Sequence, residues 1–215
     1  MKVAVVGANG KIGQHVVKLL QQSTAHNAVA MVRKEQQIDA LAKQKINARL
    51  LDLTADVGAI HDALVGVDAV IFTAGSGGHT GSDMTLRIDL DGAVKTIEAA
   101  EQGGIKRFVI VSALQAHNRE FWPSEMAAYY VAKHYADREL IHSGLDYTIV
   151  RPGLLTDDAS TGKIKLSANL TEGEIPRQDV AKVLVHVLDK PNTIGKAFDM
   201  VSGDVDIESA IRNLA

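Results

Sequence analysis

Tyr129 and Lys133 stand four residues apart in AAYYVAKHYADREL, a spacing that puts both side chains on one face of a helix. A free phenol titrates near ~10, too high for easy proton exchange in neutral water. An adjacent ammonium group favours the phenolate and lowers that value, so the pair reads as acid and base machinery. The same helix offers two competing pairings. Tyr130 and His134 repeat the spacing on a neighbouring face, and Lys133 with Asp137 would make a surface ion pair.

A second group lies in VAVVGANGKIGQHVVKLL. The apolar run Val3–Val6 precedes Gly7, Gly10 and Gly13, and Ile12, Val16, Val17, Leu19 and Leu20 then recur at helical intervals. Strand, glycine turn and helix in that order point to a dinucleotide. Gly7 allows the tight turn, Gly10 lets a pyrophosphate reach the backbone, and Gly13 lets helix and strand pack closely. The free N–H groups and positive dipole end of the helix face the phosphates. Asn9, Lys11 and Ile12 belong to the same turn and complete its expected contacts. The second strand ends in MVRKE, with Arg33 and Lys34 where an acid would accept ribose hydroxyls. An arginine fork grips a phosphate, so NADP is the expected cofactor. Glu35 keeps NAD as the alternative. Ala74, Gly75 and Ser76 open the run AGSGG after the fourth strand, where a bare backbone can lie against ribose and phosphates.

These groups need a scaffold, and the chain supplies βα units. Strands are expected at 28–32, 48–51, 69–72, 108–111 and 147–150, the last stopped by Pro152. Helices are expected at 35–43, 57–64, 86–100 and from Ser124, as N-cap, to Ser143, where Gly144 ends it. Such alternation predicts an α/β, doubly wound and mainly parallel sheet with helices on both faces and the ligand at the strands' carboxyl ends. Beyond Pro152 the reading is loop over 154–171 with one short strand at 163–166, a helix at 177–188 and a last strand at 197–201. One domain over 1–215 is expected, with 154–215 walling the cleft.

GANGKIG and YYVAK (Tyr129 to Lys133) on the helix after the fifth strand together resemble the extended and atypical branches of the short-chain dehydrogenase/reductase superfamily. IVRPG and IPRQDVA extend the likeness over essentially the whole chain, nearest to short flavin reductase-like, sugar-epimerase-like and redox-sensor-like members. The resemblance implies that Tyr129 handles the substrate proton while Lys133 binds the nicotinamide ribose and tunes the phenol. It implies adenine contacts at Asp52 and Leu53, although Asp52, Thr54 and Asp56 also read as helix caps. It implies a nicotinamide border at Pro152 and Gly153. The family's carbonyl-orienting hydroxyl falls on Ser112, but Ala113 occupies the next position, often the catalytic one. An oxidoreductase acting on a small carbonyl, quinone or flavin-like acceptor is therefore set against a non-enzymatic NADP(H) sensor, with a nucleotide-sugar epimerase third.

The 215 residues carry a formal charge of -3, which gives no electrostatic case for nucleic acid or an anionic membrane. The chain has no cysteine, so disulfides and thiolate chemistry are excluded, and its eight histidines lack close metal-ligand spacing. No leader or spanning segment is read, and cytoplasm is the expected location. The expected partner is a small-molecule substrate, with oligomeric state open. His79 and the pair Trp122-Pro123 are candidate cleft walls.

Overall fold

The structure is a computed structural model that describes residues 1–78 and 80–214, so His79 lies outside the described residues. Strand β1 (Lys2–Val6) is buried on both faces: Val3 and Val5 enter one core, Ala4 and Val6 the other. Period-two alternation of apolar residues on both faces is what a central parallel strand requires. The sheet runs β3 (Asn47–Leu50), β2 (Asn27–Val32), β1, β4 (Ala69–Phe72), β5 (Arg107–Val111), β6 (Asp146–Pro152), β10 (Lys196–Ser202), β8 (Lys163–Ser167), β11 (Val205–Asp206). Pairing is parallel from β3 to β10 and antiparallel only where β8 meets β10 and β11. This is the doubly wound sheet that the βα rhythm predicts.

Helices α1 (Lys11–Gln22), α2 (Glu35–Ala42), α7 (Arg177–His186) and α8 (Ile207–Arg212) cover the face carrying Val3 and Val5. The opposite face is covered by α3 (Val57–Leu64), α5 (Gly92–Gln102) and α6 (Ala127–His142). Strand order reverses at β1 and β4, which places the crevice between their carboxyl ends. No described helix is long and apolar enough to cross a membrane.

Several boundaries differ from expectation, each for a local reason. The helix expected at 86–100 begins earlier, as α4 (Ser82–Thr85), and passes through a π-helical stretch, Leu86–Asp91, before α5. Ser124 does not cap α6. It opens a 3₁₀ turn (Ser124–Met126), its hydroxyl donates to Glu125, and α6 starts at Ala127. Gly144 is not the helix-ending residue either: the Ser143 hydroxyl closes α6 by donating to the Leu140 carbonyl. Pro152 stays inside β6, because β5 ends opposite Val150 and the missing N–H therefore breaks no bond to it. Within the expected loop, β7 (Leu154–Thr156) pairs with β9 (Glu174–Pro176) in a separate two-stranded sheet. Strand β11 and α8 lie beyond the last element expected.

At the amino-terminal end of the strands, buried Arg107 joins three elements. Its guanidinium donates to the carbonyls of Asp146, Val187 and Leu188 and to the hydroxyls of Thr148 and Thr193. Burial lowers its pKa to about 10, which leaves it charged at neutral pH. Arg107→Met keeps the apolar stem but strands these acceptors. We expect urea unfolding to lose about 2–4 kcal/mol, because the buried acceptors lose their donor.

Candidate functional site

The glycine turn is tight because it is hemmed in by backbone. Gly7 has φ +84°, and a β-carbon there would sit 2.7 Å from Ala74 Cα at the end of β4. A β-carbon on Gly13 would come within 2.3 Å of the Gly7 carbonyl oxygen, so α1 packs directly on the turn. Gly10 caps α1 without a side-chain bond, leaving the helix's first N–H groups uncovered by protein. Asn9 and Lys11 are exposed beside them, and Ile12 is turned into the core. Lys11 and Arg177 both reach Asp157, just past β7, so the C-terminal part of the chain closes over the turn.

Opposite the turn lies a compact set of buried charges. Lys133, nearly all buried, donates to the Val111 carbonyl at 3.1 Å and lies 3.4 Å from Asp89. Asp89 comes from the π-helical stretch and also accepts the Ser76 N–H at 2.9 Å. A β-carbon on Gly75 would press to 3.0 Å against that carboxylate. Asp137 is paired with Arg151 at 2.9 Å, not with Lys133 at the surface as the i,i+4 spacing allowed. Arg151 also donates to His117 Nδ1.

Tyr129 shares this face of α6, with the Lys133 ammonium 5.7 Å from its ring centre. Its pKa moves opposite to expectation. Burial raises it by more than Lys133 lowers it, and the negative fields of Asp89 and Asp137 raise it further. For Lys133 burial opposes the charge, yet Tyr129, Asp89 and Asp137 together raise its pKa, so the ammonium stays protonated. Tyr130 lies on the neighbouring face, and His134 holds the Ala116 carbonyl through Nδ1.

The remaining expected residues are dispersed around the crevice. Arg33 and Lys34 are exposed past β2, and among the described residues the Arg33 guanidinium makes no hydrogen bond. Asp52 accepts the backbone N–H and hydroxyl of Thr54, while Asp56 caps α3. Leu53 turns its side chain against Gly92. Gly153 must be glycine for a reason outside the motif: a β-carbon would lie 2.2 Å from the Gly173 carbonyl oxygen. Ser112 Oγ is buried beside Asp137 without a completed hydrogen bond. Asp89 and Arg151 went unread in the sequence. An acid within the helical stretch LRIDLDGA, on the side of apolar Ile88 and Leu90, was the available signal for Asp89.

Residues 7–191 match the NAD(P)H-binding family. The chain belongs to that family. It is 52% identical over 214 residues to the uncharacterized sugar epimerase YhfK of Bacillus subtilis, covering all of both chains. A provisionally named NAD-dependent epimerase/dehydratase from Bacillus halodurans superposes with a TM-score of 0.93 at 45% identity, again covering all of both chains. ChuY, an anaerobillin reductase from Escherichia coli O157:H7, gives 0.80 at 26% identity over 96% of this chain and 99% of its own. As a family member the chain takes its place among atypical short-chain dehydrogenase/reductase and epimerase-like folds.

Because Asp89 faces a nearly buried ammonium group, Asp89→Asn leaves that charge without its paired carboxylate. Urea denaturation should record a loss of about 3–5 kcal/mol. Asp91→Asn breaks only the Asp91–Lys95 pair, whose carboxylate is exposed, and should cost less than about 1 kcal/mol.

Proposed function

We propose that the protein is an NAD(P)H-dependent oxidoreductase that passes hydride to a small carbonyl, quinone or flavin-like acceptor, with NADP(H) preferred. One observation carries this reading: Tyr129 and the buried, charged Lys133 share a face of α6, and Asp89 links Lys133 to Ser76 beside the glycine turn. The uncapped start of α1 and its glycines fit a pyrophosphate, and exposed Arg33 fits a 2′-phosphate. The bound nicotinamide supplies the hydride. Lys133 holds the ribose hydroxyls, Tyr129 gives its phenolic proton to the acceptor oxygen, and a carbonyl becomes an alcohol. The name of ChuY as a reductase supports this class of reaction. The partner is a small-molecule substrate, since a charge of -3 offers nothing to nucleic acid or anionic lipid.

The sensor reading draws on Ser112. With its hydroxyl buried and Ala113 next to it, no serine orients a carbonyl, whereas binding of NADP(H) needs none. The epimerase named among the relatives is a third reading, supported by that name alone.

Isothermal titration should give tighter binding for NADPH than NADH, with the difference removed by Arg33→Ala; equal affinities in the parent protein would discard the NADP preference. NADPH consumption across carbonyls, quinones and flavins should identify an acceptor, and on a carbonyl Tyr129→Phe should slow turnover by ~10²–10⁴-fold. Tight NADPH binding with no turnover on any acceptor would favour the sensor.

The direction of the Tyr129 shift adds a pH test. A raised pKa keeps the proton donor loaded through neutral pH, so kcat for carbonyl reduction should show no alkaline decline below the ordinary phenol value of about 10. A decline centred near neutrality, absent in Tyr129→Phe, would mean that the phenol titrates low.

A further inference from the structure

We propose that Asp199 is a positioning residue, acting through Gln115 and Trp122 to set the aromatic contacts of Tyr129 and with them its placement. This rests on the oxidoreductase reading above.

Asp199 lies in β10 opposite Arg151 of β6 and is fully buried. Its two oxygens are both engaged by one residue: Oδ1 accepts the Gln115 backbone N–H at 3.2 Å, and Oδ2 accepts Gln115 Nε2 at 3.1 Å. Gln115 is itself unusual. It is buried and adopts φ +59°, a region that a residue with a β-carbon rarely enters. Such a conformation persists where the surroundings over-determine it. Here they do: Nε2 also donates to the Leu170 carbonyl at 2.8 Å, and the Gln115 carbonyl accepts the Trp122 indole N–H at 3.3 Å.

That last bond links the backbone strain to the aromatic cluster on α6. The Trp122 ring lies 6.1 Å from the Tyr130 ring and 5.3 Å, edge-on, from His134. Tyr130 in turn meets Tyr129 edge to face at 5.7 Å. An unbroken series of contacts therefore runs from Asp199 through Gln115, Trp122 and Tyr130 to the proton donor. A buried carboxylate placed only to satisfy β10 would need no strained residue on a different loop. Asp199 selects the left-handed conformation of Gln115, which aims the carbonyl that anchors Trp122.

Trp122 is the only tryptophan in the chain, so its emission and acrylamide quenching report the aromatic cluster alone. The test is a double-mutant cycle of Asp199→Asn and Gln115→Ala. Asparagine offers one acceptor oxygen where the carboxylate offered two, and alanine removes the side-chain bonds that hold residue 115 at its unfavourable φ. Each single variant should shift Trp122 emission and raise its quenching, and the double variant should add little, because both break the same link. With 4-nitrobenzaldehyde as acceptor, whose reduction uses the Tyr129 proton, kcat should fall ~10–100-fold while the KM for NADPH stays within about twofold, as expected for a displaced reacting group. Additive effects, or a loss of stability with emission and kcat unchanged, would overturn the proposal. If Asp199→Asn does not fold, Gln115→Ala must shift the emission by itself, and an unchanged Trp122 there overturns it equally. If the parent protein reduces no acceptor, the oxidoreductase reading falls, and the fluorescence cycle still decides whether Asp199 sets the aromatic contacts.

Discussion

An ammonium group held out of water governs the arrangement of this molecule. Lys133 is almost wholly buried, and an uncompensated charge in such a place costs many kcal/mol or loses its proton. It keeps the proton because Val111 gives a carbonyl, Asp89 gives a carboxylate and Asp137 lies close on the next turn. Each partner carries a piece of the crevice with it. Val111 ends β5, and Asp89 belongs to the helix after β4 while also holding the Ser76 N–H. Asp137 brings Arg151 of β6, and Arg151 brings His117. Satisfying one buried charge therefore fixes the loop after β4, the loop after β5 and the inner face of α6 relative to one another.

The π-helical stretch follows from the same requirement. A helix wound with i→i+5 bonds is poorly packed along its axis and is rare unless something holds it. Asp89, nearly fully buried, sits within that stretch with both oxygens engaged. The irregular winding lies where Asp89 is turned inward to meet Lys133 and the Ser76 N–H. Across the crevice the constraint is steric. Gly7, Gly13 and Ala74 approach one another through main chain alone, and Gly153 and Gly173 do the same where β6 leaves the sheet. Side chains hold one wall in place and their absence shapes the other.

What could be read from the sequence was what local chemistry determines. Val3–Val6, Ala69–Phe72 and Phe108–Val111 are short apolar runs bounded by turns, and all three became buried strands. Gly7, Gly10 and Gly13 declared their turn because the residue type itself does the work. The i,i+4 spacing placed Tyr129 and Lys133 on one face. Partners distant in sequence left no such trace: nothing near Lys133 names Asp89, and the nearer Asp137, equally well spaced, turned to Arg151 instead. The direction of the Tyr129 shift was misjudged for the same reason, since burial and the two acids are tertiary facts while the lysine is a local one. Strands β7 and β9 are three residues each, too short for alternation to register. Gln115, in a region where glycine or asparagine is usual, gave no sign of its conformation.

The electrostatics of the crevice also bear on the direction of the chemistry. A phenol whose pKa is raised by burial stays neutral through neutral pH, and the same shift makes it a weaker acid. In the proposed reaction that neutral form carries the proton needed for reduction, whereas oxidation of an alcohol would need the phenolate that burial, Asp89 and Asp137 all oppose. Trp122, Tyr130 and Tyr129 form a series of tilted and edge-on ring contacts next to the buried Lys133–Asp89 pair, so the side of α6 that carries the proposed proton donor is also its aromatic side.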